Sequence, residues 1–265
     1  MSTYDKEILT HYKKVAESQL NDDSCTMDDH ITRKLETLFI TKIIDKEIKK
    51  QGKNKKLKIS DFGCGNGFTL TKIAESFSNQ EYSGFEYTNE LKKIANDKEN
   101  IPCQIHYCDV RDRSTLPSNL DIIICQRVLI NLLDKKDQKI ALSNILESLK
   151  KGGILISIEA FASNLSHLNL CRKELGLSAI PPAHHNLYLE DNFFEIPILE
   201  KESDEEDDNY LSTHYFITRV LHDVALKATD SPFIRNSLFV DFFDKALPPG
   251  IGHFSPLKCM FFRKK

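Results

Sequence analysis

Apolar positions along the chain fall into two kinds of segment. From 31 to 50, "ITRKLETLFITKIIDKEIKK" spaces them helically and predicts an amphipathic helix. "KKQGKNKKLK" follows as a basic connector. Beyond it, short β-rich apolar runs at 57–62, 81–86, 103–108, 120–125 and 154–160 alternate with helical patterns at 68–77, 89–98 and 135–150. Strands this continuously apolar, alternating with helices, predict an α/β fold in which a parallel sheet carries helices on both faces. "LKKGGILISIEAF" predicts a helix that ends at a glycine pair and turns into the fifth strand.

After Glu159 the pattern loosens. Residues 163–176 read as helix, "IPPAHHNLYLEDNFF" as a loop with a short helix, and "EIPILEKES" as a sixth strand. "DEEDDN" is an acidic run with a solvated face, "YLSTHYFITRVLHDVAL" is helical, and "LKCMFFRKK" is a last strand. About 50 residues separate the last two strands, where short connections are the rule, so the stretch near 204–256 predicts a lid or binding element.

Composition narrows the classes. The chain's 265 residues suffice for one large α/β domain, and 40% hydrophobic with 28% charged residues excludes a disordered chain. No apolar run approaches the ~20 residues of a membrane span, and the polar start "MSTYDKEILTHYKK" reads as no leader, so a cytoplasmic protein is expected. The seven cysteines are scattered without a CxxC pair, which predicts neither a disulfide framework nor a zinc site. A net charge of −3 offers no general attraction for nucleic acid.

Candidate chemistry concentrates in "KISDFGCGNGF", where Gly63, Gly65 and Gly67 follow the first strand directly. Glycines allow positive φ and close approach of a ligand to backbone. Between a strand and a helix they lie at the carboxyl edge of the sheet, where open α/β sheets bind ligands. The loop lacks the lysine of a phosphate-binding Walker loop and has the wrong spacing for a dinucleotide fingerprint. The second strand ends at Glu86, about 20 residues on, placed to accept hydrogen bonds from a ribose diol. The third strand ends "YCDV", bringing Asp109 to the same edge, where it can accept from an adenine amino group.

"DFGCGNG", Glu86 and "CDV" in series resemble the motifs of class I S-adenosylmethionine-dependent methyltransferases. By motif the resemblance covers about 57–160, and by strand pattern most of the rest. It implies a doubly wound, mostly parallel seven-stranded sheet with one antiparallel strand, a helical cover at 1–56, a cofactor core at 57–160 and substrate-side elements at 161–265, all in one domain. It implies S-adenosylmethionine as cofactor, with S-adenosylhomocysteine as product. Asp61 would order a loop shaped by Gly63, Cys64, Gly65 and Gly67; Glu86 and Tyr87 would hold the ribose, and Asp109 and Val110 would frame the adenine. Gln126 and Arg127, after the fourth strand, would complete the cofactor site, with Asn131 facing the acceptor. The Pro-Pro-aromatic motif of amino-methylating nucleic-acid enzymes is absent at that place. "QRVLINLLD", "KGGILISIEAF" and "HNLYLEDNFF" are closest in pattern to bacterial small-molecule methyltransferases.

The expected reaction is methyl transfer to a hydroxyl or amine of a small acceptor, anionic or sugar-type included, without a metal ion, a nucleic acid or a membrane, by a monomer or homodimer. Because such an acceptor must lose a proton, His185 after the Pro-Pro turn is the expected general base, with His184 and Glu159 competing. Tyr12, Arg33, Asn186, Tyr188, Tyr215 and Arg219 are the expected acceptor contacts, Tyr215 and Arg219 sharing a helix face. The alternatives are a methyltransferase acting on tRNA or protein, an aminopropyl transferase, and a non-catalytic S-adenosylmethionine-binding protein.

Overall fold

The computed structural model describes residues 4–18, 29–52 and 54–265. The part of the expected N-terminal cover at 19–28 lies outside the described residues.

Seven strands form one sheet: β1 Lys58–Phe62, β2 Glu81–Glu86, β3 Ile105–Tyr107, β4 Leu120–Gln126, β5 Leu149–Ala160, β6 Leu199–Lys201 and β7 Leu257–Lys264. Their order is β3-β2-β1-β4-β5-β7-β6, with β7 antiparallel to both β5 and β6 and the other pairings parallel. The mostly parallel sheet with one antiparallel strand is as expected. The order reverses between β1 and β4, and the carboxyl ends of those two strands open the crevice in which such sheets bind ligands. Ile122, Ile123 and Ile124 are fully buried, as befits a strand covered on both faces.

The early helices are α1 Asp5–Ser18, α2 His30–Gln51, α3 Phe68–Ser76 and α4 Asn89–Asn96. Helix α2 buries one stripe through Arg33, Glu36, Phe39, Ile40, Ile43, Ile44, Glu47 and Ile48, at the three- and four-residue spacing of a helix face. Its apolar middle packs on the sheet, so the same stripe carries Arg33 and Glu36 inward at its N-terminal end. Helix α1 packs against α4.

Helix α5, Lys135–Ser148, ends four residues ahead of the expected glycine turn, because β5 starts at Leu149, paired with Leu120, and then shifts register. Gly152, at φ 77°, accommodates that irregularity. After α6, Ala162–Glu174, the expected short helix in "IPPAHHNLYLEDNFF" does not form; turns run through it, anchored by a bridge between Phe161 and Leu189.

Between β6 and β7 lie α7 Glu205–Asp208, α8 Ser212–Phe216, a π-turn at Ile217–Leu221, α9 His222–Thr229 and α10 Leu238–Ala246. The acidic run is less solvated than its composition suggests. It forms α7, where Asp207 is buried and accepts from Lys42 Nζ at 2.9 Å. Among the described residues no helix is long and apolar enough to cross a membrane.

Candidate active site

The glycine loop turns sharply where β1 ends. Gly63 N and Cys64 N both donate to Phe85 O, at 2.8 and 3.0 Å, tying the loop to the end of β2. Gly63 has φ 72°, and a Cβ there would stand 2.4 Å from Val128 Cγ2, so only glycine fits. Glu86 braces the same turn: Oε2 accepts from Gly65 N at 2.9 Å and Oε1 from Thr88 N at 2.7 Å. The loop, Glu86 and β4 enclose a cavity lined also by Tyr87, Val110 and Gln126.

Asp61 and Glu86 are both buried in this cavity, and burial raises both carboxyls above the usual range, Asp61 furthest because Glu86 stands beside it. Asp61 Oδ1 has no hydrogen-bond partner among the described residues. A buried carboxylate oxygen left bare costs about 1–3 kcal/mol, so it is matched to a donor or cationic group of whatever fills the cavity.

At the far end of the loop, Asp109 is clamped by Arg111, whose Nε and Nη2 donate to its two oxygens at 2.9 and 2.7 Å. Arg111 Nη1 also donates to Asp5 at 2.8 Å, and Asp137 lies 3.5 Å away. One guanidinium thus joins the cavity rim to α1 and α5. Asp5, Ile8 and Tyr12 of α1, with Tyr4 just before it, line the cavity, so α1 is its cover.

The opposite end is built from α2 and the residues after β4. Glu36, fully buried, is ion-paired through Oε1 to Arg127 Nη1, while its Oε2 has no partner among the described residues. Burial raises the Glu36 carboxyl above its usual range, with Arg127 and Arg33 opposing. Arg33 lies over the Phe68 ring at 4.2 Å and donates to Asn66 at 3.3 Å. Asn131 Nδ2 donates to Tyr12 Oη at 2.7 Å, and Asn186 Nδ2 donates to Asn131 Oδ1 at 2.7 Å. Behind them Glu159 accepts from the backbone N–H groups of Val128, Leu129 and Ile130 at 2.9, 3.0 and 3.2 Å. It therefore anchors the turn that presents Arg127 and Asn131. Burial holds the Glu159 carboxyl up at about 7.

Thirteen expected site residues meet at this cavity: Asp61, Gly63, Cys64, Gly65, Glu86, Tyr87, Asp109, Val110, Gln126, Arg127, Tyr12, Arg33 and Asn131. Six others do not line it. Gly67 instead lets α3 start, since a Cβ there would meet Ile101 Cδ1 at 2.4 Å. Asn186 touches the cavity only through Asn131, and Tyr188 packs into the core. Tyr215 is half-buried against the core, and Arg219 lies over the Tyr215 ring with Nη2 3.6 Å from Asp29. His185 stacks on His11, and burial with the neighbouring His11 and His184 pulls it down to about 4. Missed by the sequence reading were Glu36, Arg111, Asp5 and Thr69. Glu36 alone had a visible signal, a carboxylate on the apolar stripe of α2.

A family model described as a methyltransferase domain matches residues 53–186, half of the chain, taking in the glycine loop and the ends of β2 and β4 but not α1 or α2. The chain belongs to the class I S-adenosylmethionine-dependent methyltransferases. The residues fit that cofactor: a glycine cradle, two buried carboxylates and one bare carboxylate oxygen suit a cationic, diol-bearing ligand. The methyltransferase is 23% identical over 103 residues to malonyl-acyl-carrier-protein O-methyltransferase of Bacillus anthracis, covering 39% of this chain and 37% of that one. It therefore spans little more than a third of the length of that curated relative. A Galdieria sulphuraria protein assigned as a sarcosine dimethylglycine methyltransferase superposes with a TM-score of 0.55 at 13% identity, over 98% of each chain. The N-methyltransferase NodS of Bradyrhizobium japonicum, solved with S-adenosylhomocysteine, gives 0.50 at 16% identity over 72% of this chain and 87% of that one. At these identities the likeness is one of fold.

Proposed function

We propose that the methyltransferase moves a methyl group from S-adenosylmethionine to a hydroxyl or amine of a small polar acceptor, and that Glu36 receives the acceptor's proton. The observation that carries this reading is the pair of bare carboxylate oxygens, Asp61 Oδ1 and Glu36 Oε2, in one cavity. The first suits the cofactor beside the glycine loop, and the second suits a hydroxyl or ammonium of the acceptor. When bound, the cofactor supplies an electrophilic methyl on a sulfonium, and displacement there needs the nucleophile held in line.

The chain's own residues orient and deprotonate. Glu86, Asp61 and the loop fix the cofactor, while Tyr12 and Asn131 provide hydrogen bonds on the acceptor side. Glu36, raised by burial, is a stronger base than an exposed carboxylate and lies inside the cavity, which favours it over His185. At this end Arg127 is already matched by Glu36, Arg33 is turned over the Phe68 ring toward Asn66, and the bare Glu36 oxygen adds negative charge. A neutral, hydroxyl-rich acceptor of sugar type suits such a site better than a strongly anionic one. NodS and the malonyl-acyl-carrier-protein enzyme act on nitrogen and oxygen respectively, so kinship leaves both atoms open. The test is a screen of nucleotide sugars, phosphorylated small molecules and amines for S-adenosylhomocysteine release. Turnover on a hydroxyl or amine acceptor, reduced about 10²–10⁴-fold in Glu36→Gln with S-adenosylhomocysteine affinity kept, is expected. Unchanged turnover in Glu36→Gln would remove Glu36 as the base.

A further inference from the structure

Three imidazoles from distant parts of the chain converge beside the cavity. His11 comes from α1, and His184 and His185 from the turns that replace the expected short helix. The rings of His11 and His185 stack at 3.8 Å, and His184 stands edge-on to His185 at 4.9 Å. One ring nitrogen from each residue lies within 4.8 Å of those of the other two.

A second observation points to a ligand. His185 Nδ1 is buried and has no hydrogen-bond partner among the described residues. An imidazole nitrogen shut away from water without a partner is destabilising, and a metal ion satisfies it. His184 is exposed, which gives an ion a way in and leaves that side chain free to turn.

We propose that His11, His184 and His185 form a binding site for a divalent transition-metal ion of the zinc class. Neutral imidazole donors suit zinc, nickel, cobalt or copper, whereas magnesium and calcium require oxygen ligands. Metal–nitrogen bonds of about 2.0–2.1 Å put ligand nitrogens roughly 3.3 Å apart in a tetrahedral site, so on binding the nitrogens close by about 1.5 Å at most and the stacked His11 and His185 rings turn until their in-plane lone pairs converge. Three protein ligands leave a fourth position for water. The ion ties α1 to the 181–189 turns, and α1 is the cover of the cavity. Tyr12, next to His11, and Asn186, next to His185, already meet through Asn131. A bound ion thus locks the cover over the cavity without entering the reaction.

This inference is independent of the acceptor, and its test does not use activity. The full chain, stripped with EDTA, is titrated with Co²⁺ by absorbance and with Zn²⁺ by calorimetry, then digested by a protease with and without Zn²⁺. One equivalent should bind with nitrogen-type Co²⁺ spectra, and cleavage within 5–18 should slow. His11→Ala and His184→Ala should each weaken binding at least tenfold, since even losing an outer partner of a metal ligand typically costs 10–100-fold. Should His11→Ala not fold, His184→Ala, an exposed position, decides the result. Absence of stoichiometric binding, unchanged affinity in His184→Ala, or a thiolate charge-transfer band indicating cysteine ligation would each overturn the site.

Discussion

His214 sits between two carboxylates at the joint between the late insertion and α2. Its Nδ1 is 2.8 Å from Asp244 Oδ2 and its Nε2 is 3.1 Å from Asp29 Oδ2, with the ring essentially buried. Both nitrogens can donate only in the imidazolium. Against the opposing effect of burial, these two acids raise the imidazole from 6.5 to about 9. That preference is worth about 3 kcal/mol. Seen from Asp29, which falls from 3.8 to about 2, the figure is about 2 kcal/mol. The two describe one cluster and do not add; the histidine value is preferred because it includes Asp244. Because the folded value is raised, the stabilisation is complete below pH 6.5 and is lost as pH climbs through 9. Urea unfolding of the wild type and of Asp244→Asn from pH 6 to 9.5 would read it. The wild type should lose roughly 2–3 kcal/mol over that window, and Asp244→Asn distinctly less, starting from a lower plateau. Superimposable pH slopes for the two proteins would refute the charged-cluster account. The cluster matters beyond stability, since Asp29 caps α2 and the same helix carries Arg33 and Glu36 into the cavity.

Other outcomes follow from the cavity. Glu86→Ala should weaken S-adenosylhomocysteine at least tenfold in calorimetry, because a buried charge-assisted acceptor is lost and the Gly65 and Thr88 N–H groups lose theirs. Gly63→Ala should cut cofactor affinity and lower the melting temperature, since its Cβ has no room beside Val128; normal binding would show that the loop can shift. Arg111→Ala should free the start of α1, read as faster amide exchange across 5–18, because Asp5 would be buried without its cation. Arg219→Ala should leave acceptor KM nearly unchanged, since that guanidinium already faces Asp29; a large rise would return Arg219 to the acceptor site.

What could be read from the sequence was what is encoded locally. Strand–helix alternation, the glycine turn and the acids at the ends of β2 and β3 each carry their signal within a few residues. Glu36 and Arg127 were invisible as a pair, because nothing in either segment reports a partner across the crevice. Arg111 reads as an ordinary surface arginine until the fold brings Asp5, Asp109 and Asp137 around it. Arg219 misled for the same reason: its helix-face neighbour Tyr215 was legible, but the Asp29 that takes up its charge was not. The start of β5 was misplaced because a glycine pair usually ends a helix, whereas here it sits in a strand that bends past a register shift.

The position of β7 bears on how the molecule is made. It lies between β5 and β6, so the long edge of β5, through Ile154, Leu155, Ile156 and Ile158, has no neighbour on that side until residues 257–264 have been synthesised. A nascent chain that has completed the whole cofactor crevice still exposes an apolar strand edge able to pair with another chain. The sheet closes through its most sequence-distant strand pairing, which slows folding and lengthens the interval in which aggregation competes. Ribosome-bound intermediates of this chain should therefore be strong clients of chaperones that shield β-edges.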